Sequence, residues 1–262
     1  GLATSLGTNK AEFTYNLERG KSGLAYIEKY PLSAVPVKKA FEVKGSLRSF
    51  SPSYDPHIRF ALHAAGEALE DACVNTDTSP HAAVVVSSSK GSVSSLEKLC
   101  RAEQIDPQFF YSFFADTAAT AIMREYGFSG HASNVVTACA TGLHSIMSAA
   151  RMVARGDVDF ALAGAADASI TPLFLSGYKK LRVYSSDNMR PFDTHRSGFI
   201  IGEGAGVCVI EREDVARKRG ASIYGRIRGF MMTQDIGTPV HYDLDSHVLS
   251  DTILRLLNNA RL

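Results

Sequence analysis

The sequence has no tryptophan, only four cysteines, almost no net charge and no long apolar run. Each absence removes a class of protein. Cys73, Cys100, Cys139 and Cys208 form no C-x-x-C pair and do not cluster with histidines at zinc-finger spacing, so neither a disulfide scaffold nor a metal site is expected. Lys and Arg number 28 against 27 Asp and Glu, a formal charge of +1. No global field therefore holds the chain on nucleic acid or an anionic membrane, and any basic site must be local. The longest apolar runs, 81–86 and 160–164, fall far short of the roughly 20 residues that a bilayer span needs, and no signal-peptide pattern opens the sequence. The expectation is a cytoplasmic protein without membrane or nucleic-acid partners.

What is there is globular. Hydrophobic residues make up 45% and charged residues 21%, which argues against disorder and coiled coil. A length of 262 residues fits one large domain or two packed halves. Spacing predicts helices over Asn9–Arg19, Ile58–Cys73, Leu96–Cys100, Ala115–Tyr126, Gly142–Arg155, from Thr171-Pro172 onward, Glu213–Arg219 and Leu249–Leu257. It predicts strands over Ala82–Val86, Ser133–Ala138, Val158–Ala163, Gly206–Glu211 and Ser222–Met232. The helix from Gly142 carries small and apolar residues on most faces and should be buried nearly all round. Strands alternating with helices, several of them continuously apolar, imply an α/β fold whose sheet is covered on both faces.

The most informative stretch is 135–144, VVTACATGLH, in which a β run delivers Cys139 through small residues onto the start of a helix. Unpaired N–H groups and the positive end of the helix dipole favour thiolate over thiol there, so this is where a nucleophile belongs. Cys73, Cys100 and Cys208 have no such setting and read as structural. His144 lies five positions after Cys139, about 140° around the helix, and does not face the same cavity. His57, His63, His81, His131, His195, His241 and His247 lie in polar segments and read as surface residues. The run 202–206, GEGAG, has the look of a phosphate loop but lacks the strand, helix and acidic partner of one, so Glu203 reads as structural.

Four separated blocks carry a resemblance. They are Gly1–Leu24 (GLATSLGTNKAEFTYNLERGKSGL), Val135–Ala166 (VVTACATGLHSIMSAARMVARGDVDFALAGAA), Thr171–Arg182 and Arg190–Arg212 (RPFDTHRSGFIIGEGAGVCVIER). In this succession they resemble the β-ketoacyl synthase family, KAS II-like condensing enzymes of fatty acid and polyketide assembly. The resemblance implies a thiolase-like αβαβα layered sandwich, with residues 1–220 as its N-terminal half and 221–262 as the beginning of the C-terminal half. It implies an acyltransferase in which Cys139 takes an acyl group from the phosphopantetheine arm of acyl carrier protein, its own backbone N–H serving as an oxyanion donor. Decarboxylation of malonyl carrier protein and a Claisen condensation follow, with no dissociable cofactor.

Further positions follow from the same resemblance. Phe109, Tyr178 and Phe199 fall at acyl-pocket or substrate-channel positions, Phe109 reaching across a dimer. Arg182 falls at a carrier-docking position, and with Lys179, Lys180 and Arg190 makes a local basic cluster suited to an acidic carrier protein. Lys90 falls near a position where the family often places an apolar pocket residue. The sequence departs from the family in lacking the two histidines, the lysine and the glycine-rich Phe loop that complete the site. It is expected to cover about the first two-thirds of a module, joined as a homodimer or a heterodimer with a ketosynthase subunit, or completed by a separate C-terminal half. The alternative is a non-catalytic partner subunit of the chain-length-factor kind, against which the retained Cys139 counts.

Overall fold

The computed structural model describes residues 1–75, 81–101, 113–114, 116–185, 188–234 and 247–261. By contact density the chain divides into Gly1–Val215 and Ala216–Leu262.

In the first unit the elements run β1 (Leu2–Ala3), α1 (Lys10–Glu18), β2 (Ala25–Tyr26), β3 (Lys39–Ala40), α2 (Pro56–Asp71), β4 (His81–Ser87), α3 (Val93–Arg101), α4 (Thr117–Tyr126) and β5 (Ser129–Ala132). A 3-10 turn (Ala138–Ala140) then leads into α5 (Thr141–Arg155), β6 (Phe160–Ala168), α6 (Pro172–Lys180), β7 (Glu203–Glu211) and the start of α7 (Glu213–Lys218). The helix boundaries have local causes. Asn9, Asp55 and Thr171 each accept a backbone N–H of the first turn, and Pro56 and Pro172 occupy positions where a missing N–H costs nothing. Gly127 and Gly156 end α4 and α5 in the left-handed conformation that glycine adopts without strain.

The five-stranded sheet has the order β1-β7-β6-β4-β5. β4 pairs in parallel with β5 and β6, whereas β7 pairs antiparallel with both β6 and β1. The pleat explains why β4 is apolar throughout. Ala82, Val84 and Val86 join the core beneath α2 and α4, while Ala83 and Val85 join a second cluster with Ala149, Val153, Ala161 and Ala163 beneath α5. The unit is thus three layers, helices on both faces of a mixed sheet. A third cluster, Ile27, Val35, Ala40, Ile170, Leu175 and Ile201, fastens the small β2-β3 sheet to α6.

Three expectations are corrected. The run 133–137 is irregular, and the strand lies earlier, at Ser129–Ala132, because that is the segment that reaches the ladder of β4. Helix α5 buries one stripe, including Ser145, Ala149 and Val153, and leaves Leu143 68% exposed. His57 and His63 are buried in α2 rather than at the surface, because each has hydrogen-bond partners in the core. His57 Nδ1 is 2.9 Å from Asp55 Oδ1, and His63 Nδ1 accepts from the Arg48 N–H at 3.1 Å.

In the second unit, the end of α7 is followed by residues 219–234 without regular structure and by α8 (Val248–Ala260). The expected strand over Ser222–Met232 does not form, since no described segment of this unit offers it a ladder partner. Gly229 lies against Leu256 of α8.

Candidate active site

The carboxyl ends of the parallel strands gather the functional side chains. After β5 the chain runs irregularly to the 3-10 turn that carries Cys139, and α5 begins two residues beyond it. Ala138, immediately before the cysteine, has φ +46°, a left-handed conformation uncommon for a residue with a Cβ. Thr141 closes the turn with its Oγ1 accepting from the Thr137 N–H at 3.0 Å, while the Ala140 N–H donates to Thr137 O at 3.0 Å. The result is an exposed Cys139 at the head of α5.

The turn is tied to the loop that follows β4. Ser87 Oγ accepts from the Val135 N–H at 3.0 Å and from Ser145 Oγ at 2.7 Å, and Asn134 Oδ1 accepts from the Ser88 N–H at 2.8 Å. Asp167, near the end of β6, accepts from Ser88 Oγ at 2.8 Å and from Ser89 Oγ at 2.7 Å, with Lys90 Nζ at 3.6 Å. A groove of about 340 Å³ opens here, lined among the described residues by Ser88–Val93, Leu96, Phe113 and Val136. Lys90 is therefore in the wall of a cavity, beside the loop that leads to Cys139.

Tyr178 and Phe199 meet edge to face with centroids 5.1 Å apart, and Tyr184 flanks Phe199 at 6.4 Å. Phe199 is held in place by backbone bonds to Val183 and Ser185, each 2.9 Å. Burial raises the Tyr178 phenol, with lesser contributions in the same direction from Cys139 and Asp167. Burial pushes Tyr184 up to about 12. The structure thus sets Phe199 against Tyr178. Phe109 lies outside the described residues.

Lys179, Lys180 and Arg182 are exposed at the C-terminal end of α6, where cations complement the helix dipole. Lys179 Nζ donates to Pro36 O at 3.2 Å. Beside them Leu173, Phe174, Gly177, Tyr178 and Leu181 form an apolar groove of about 270 Å³. Arg190 is also exposed.

Other candidates resolve as structure. Residues 203–206 of the glycine run lie in β7, and Glu203 is buried, ion-paired with Lys29 and accepting from the Val43 N–H at 3.1 Å. Burial raises its carboxyl against the opposing pull of Lys29. The Asp55–His57 pair looks like half of a catalytic triad but is sealed in the core, where Asp55 Oδ2 also accepts from the Ser95 N–H at 2.8 Å and so ties α2 to α3. Cys208 donates to Ala163 O at 3.3 Å, and burial pushes its thiol up. Among the described residues no group of three or more His, Cys, Asp or Glu is placed to hold a metal, and no helix is long and apolar enough to cross a membrane. Sequence reading missed Asp167 and its serines. The signal was the serine run 87–89 after an apolar strand, which is polar where the strand leaves the core.

A family model described as the N-terminal domain of beta-ketoacyl synthase matches residues 1–216. The chain is 33% identical over 259 residues to 3-oxoacyl-[acyl-carrier-protein] synthase 2 of Coxiella burnetii, covering 90% of this chain and 62% of that protein. It is 36% identical over 194 residues to the mitochondrial 3-oxoacyl-[acyl-carrier-protein] synthase of Arabidopsis thaliana, covering 68% of this chain and 42% of that protein. The chain therefore spans less than two thirds of either relative. Among solved structures, a type II PKS acyl-carrier protein in complex with its ketosynthase bound to the hexaketide aligns with TM-score 0.87 and 26% identity, over all of this chain and 68% of that one. The ishigamide ketosynthase/chain length factor aligns with TM-score 0.85 and 26% identity, over all of this chain and 69% of that one. The thiolase-like layering expected from the sequence is the fold of these neighbours.

Proposed function

The chain belongs to the β-ketoacyl synthase family, and from that premise we propose that it supplies the acyl-accepting site of a 3-oxoacyl-[acyl-carrier-protein] synthase in fatty acid or polyketide assembly. The observation that carries this reading is the exposed Cys139, set by a left-handed residue at the head of α5. Its thiolate attacks the carbonyl carbon of an acyl thioester on the phosphopantetheine arm of acyl carrier protein. The bond from carbonyl carbon to carrier sulfur breaks, the carrier leaves as a thiol after taking up a proton, and the acyl group remains as a thioester on Cys139. The backbone N–H of Cys139 serves the developing oxyanion, where a preorganised donor is worth about 2.7–4 kcal/mol of barrier.

Tyr178, Phe199 and Phe109 are assigned to the acyl pocket. Arg182, Lys179 and Lys180, at the C-terminal end of α6, are assigned to carrier docking. The second half-reaction, decarboxylation of malonyl carrier protein and attack of the carbanion on the acyl-cysteine, is incomplete without C-terminal histidine motifs. The assembly is a homodimer or a heterodimer with a ketosynthase subunit. No dissociable cofactor is required, because both substrates arrive on carrier arms.

The test is acyl loading followed by intact-protein mass and peptide mapping. The chain should gain one acyl group on Cys139 from an acyl carrier protein, and Cys139→Ala should abolish it. Loading that persists on another residue overturns the assignment. The other reading, a non-catalytic chain-length-factor-like subunit, draws on the likeness to the ishigamide pair. Timed alkylation separates the two. A nucleophilic Cys139 should outpace Cys208, whose thiol burial pushes up, as well as Cys73 and Cys100, whereas a partner subunit should show no fast cysteine.

A further inference from the structure

The groove beside the nucleophile is not uniformly apolar. Its lining mixes apolar Val93, Leu96, Phe113 and Val136 with polar Ser88, Ser89, Ser92 and Lys90. Its volume of about 340 Å³ is at the small end of ligand cavities, which span roughly 300–1,000 Å³. It belongs to the site rather than to a remote surface. Val136 lies three residues before Cys139, and Asn134 Oδ1 and Ser87 Oγ hold the nucleophile's loop to the groove's loop.

Lys90 is held where it is. Its Nζ donates to Ser89 Oγ at 2.7 Å, and its ion pair with Asp167 Oδ2 is long, 3.6 Å. Asp167 is meanwhile occupied by Ser88 Oγ, Ser89 Oγ and the Ser89 N–H. An ammonium has three donors. A single hydrogen bond and one long ion pair leave it able to donate again. A saturated chain laid against this ammonium would strip water from a charge and return no hydrogen bond, which is costly. An oxygen on the chain would return one.

Resting on the assignment of Cys139 as the acyl-accepting nucleophile, we infer that Lys90 makes this groove selective for acyl groups that carry an oxygen acceptor, carbonyl or carboxylate, over saturated chains of equal length.

The test compares pantetheine thioesters of one six-carbon length: hexanoyl, 5-oxohexanoyl and adipoyl. The readout is the initial rate of Cys139 acylation by intact mass, for the chain as it stands, for Lys90→Met and for Lys90→Gln. The expected result is about tenfold faster loading of the two oxygenated groups than of hexanoyl. Lys90→Met should erase that preference by raising the hexanoyl rate. Lys90→Gln, which keeps donors but not charge, should hold the preference for 5-oxohexanoyl and lose that for adipoyl. Equal rates for the three groups, or a Lys90→Met change that slows all three alike, would overturn the inference while leaving Cys139 as nucleophile. No loading from any thioester would overturn the nucleophile and the inference with it.

Discussion

Ala138 holds a left-handed backbone at φ +46°, which for a residue with a Cβ costs roughly 1–2 kcal/mol. Glycine there would remove that cost but add roughly 0.5–1 kcal/mol of unfolded-state entropy. Ala138→Gly should therefore leave the unfolding free energy, read from a urea titration, within about 1 kcal/mol of the parent. Ala138→Val should cost about 1–3 kcal/mol and slow Cys139 alkylation, since a branched side chain cannot hold the turn without strain. At Asp55, burial acts to raise the carboxyl, but bonds from His57 and Ser95 win and hold it below 3.8. A carboxylate held low in the folded state contributes stability that is full above its unfolded value and is lost as pH falls through the folded one. Acid unfolding of the parent should accordingly steepen below about pH 3.8, and Asp55→Asn should be less stable at neutral pH without that steepening. Equal pH slopes for the two proteins would contradict it.

Elements were legible where the chain itself enforces them. The apolar spacing of α2 and the apolar run of β4 mark their elements without reference to anything distant. Two strand readings failed for one reason. The apolar pair Val135-Val136 and the alternation of 222–232 satisfy the pattern of a strand, but a strand exists only where another backbone accepts its ladder. The site divides the same way. Cys139 could be read from its local setting, whereas Asp167 became meaningful only once β4 and β6 lay side by side. The pairing of β6 with β7 on its other side governs Gly164, where a Cβ would stand 1.9 Å from Gly206 O. Two central strands cannot yield without breaking register. Gly164→Ala should cost about 3 kcal/mol or more, read as a lowered melting temperature or loss of soluble protein.

On the scale of the whole molecule, the first unit presents more apolar surface than its charge balance suggests. Val136, Leu143, Leu173 and Leu181 are 58%, 68%, 55% and 58% exposed, respectively. Large exposed apolar patches promote association. Sedimentation velocity should show concentration-dependent self-association of the chain, and Leu143→Lys combined with Leu181→Lys should reduce it. A single sharp monomer boundary for the parent across the concentration series would contradict this.

The sheet also imposes an order of events. Leu2 and Ala3 find their partners in Gly206 and Ala205, and β7 joins them to β6. At a synthesis rate of about 5–20 residues per second, more than 10 s separates the emergence of β1 from that of its partner. Helix α2 can pack on β4 and β6 in that interval, but β1 cannot form its ladder with β7 until β7 arrives. Of the strands described, the first is therefore among the last to meet its β7 partner, and the half-finished sheet needs protection along the edge of β6.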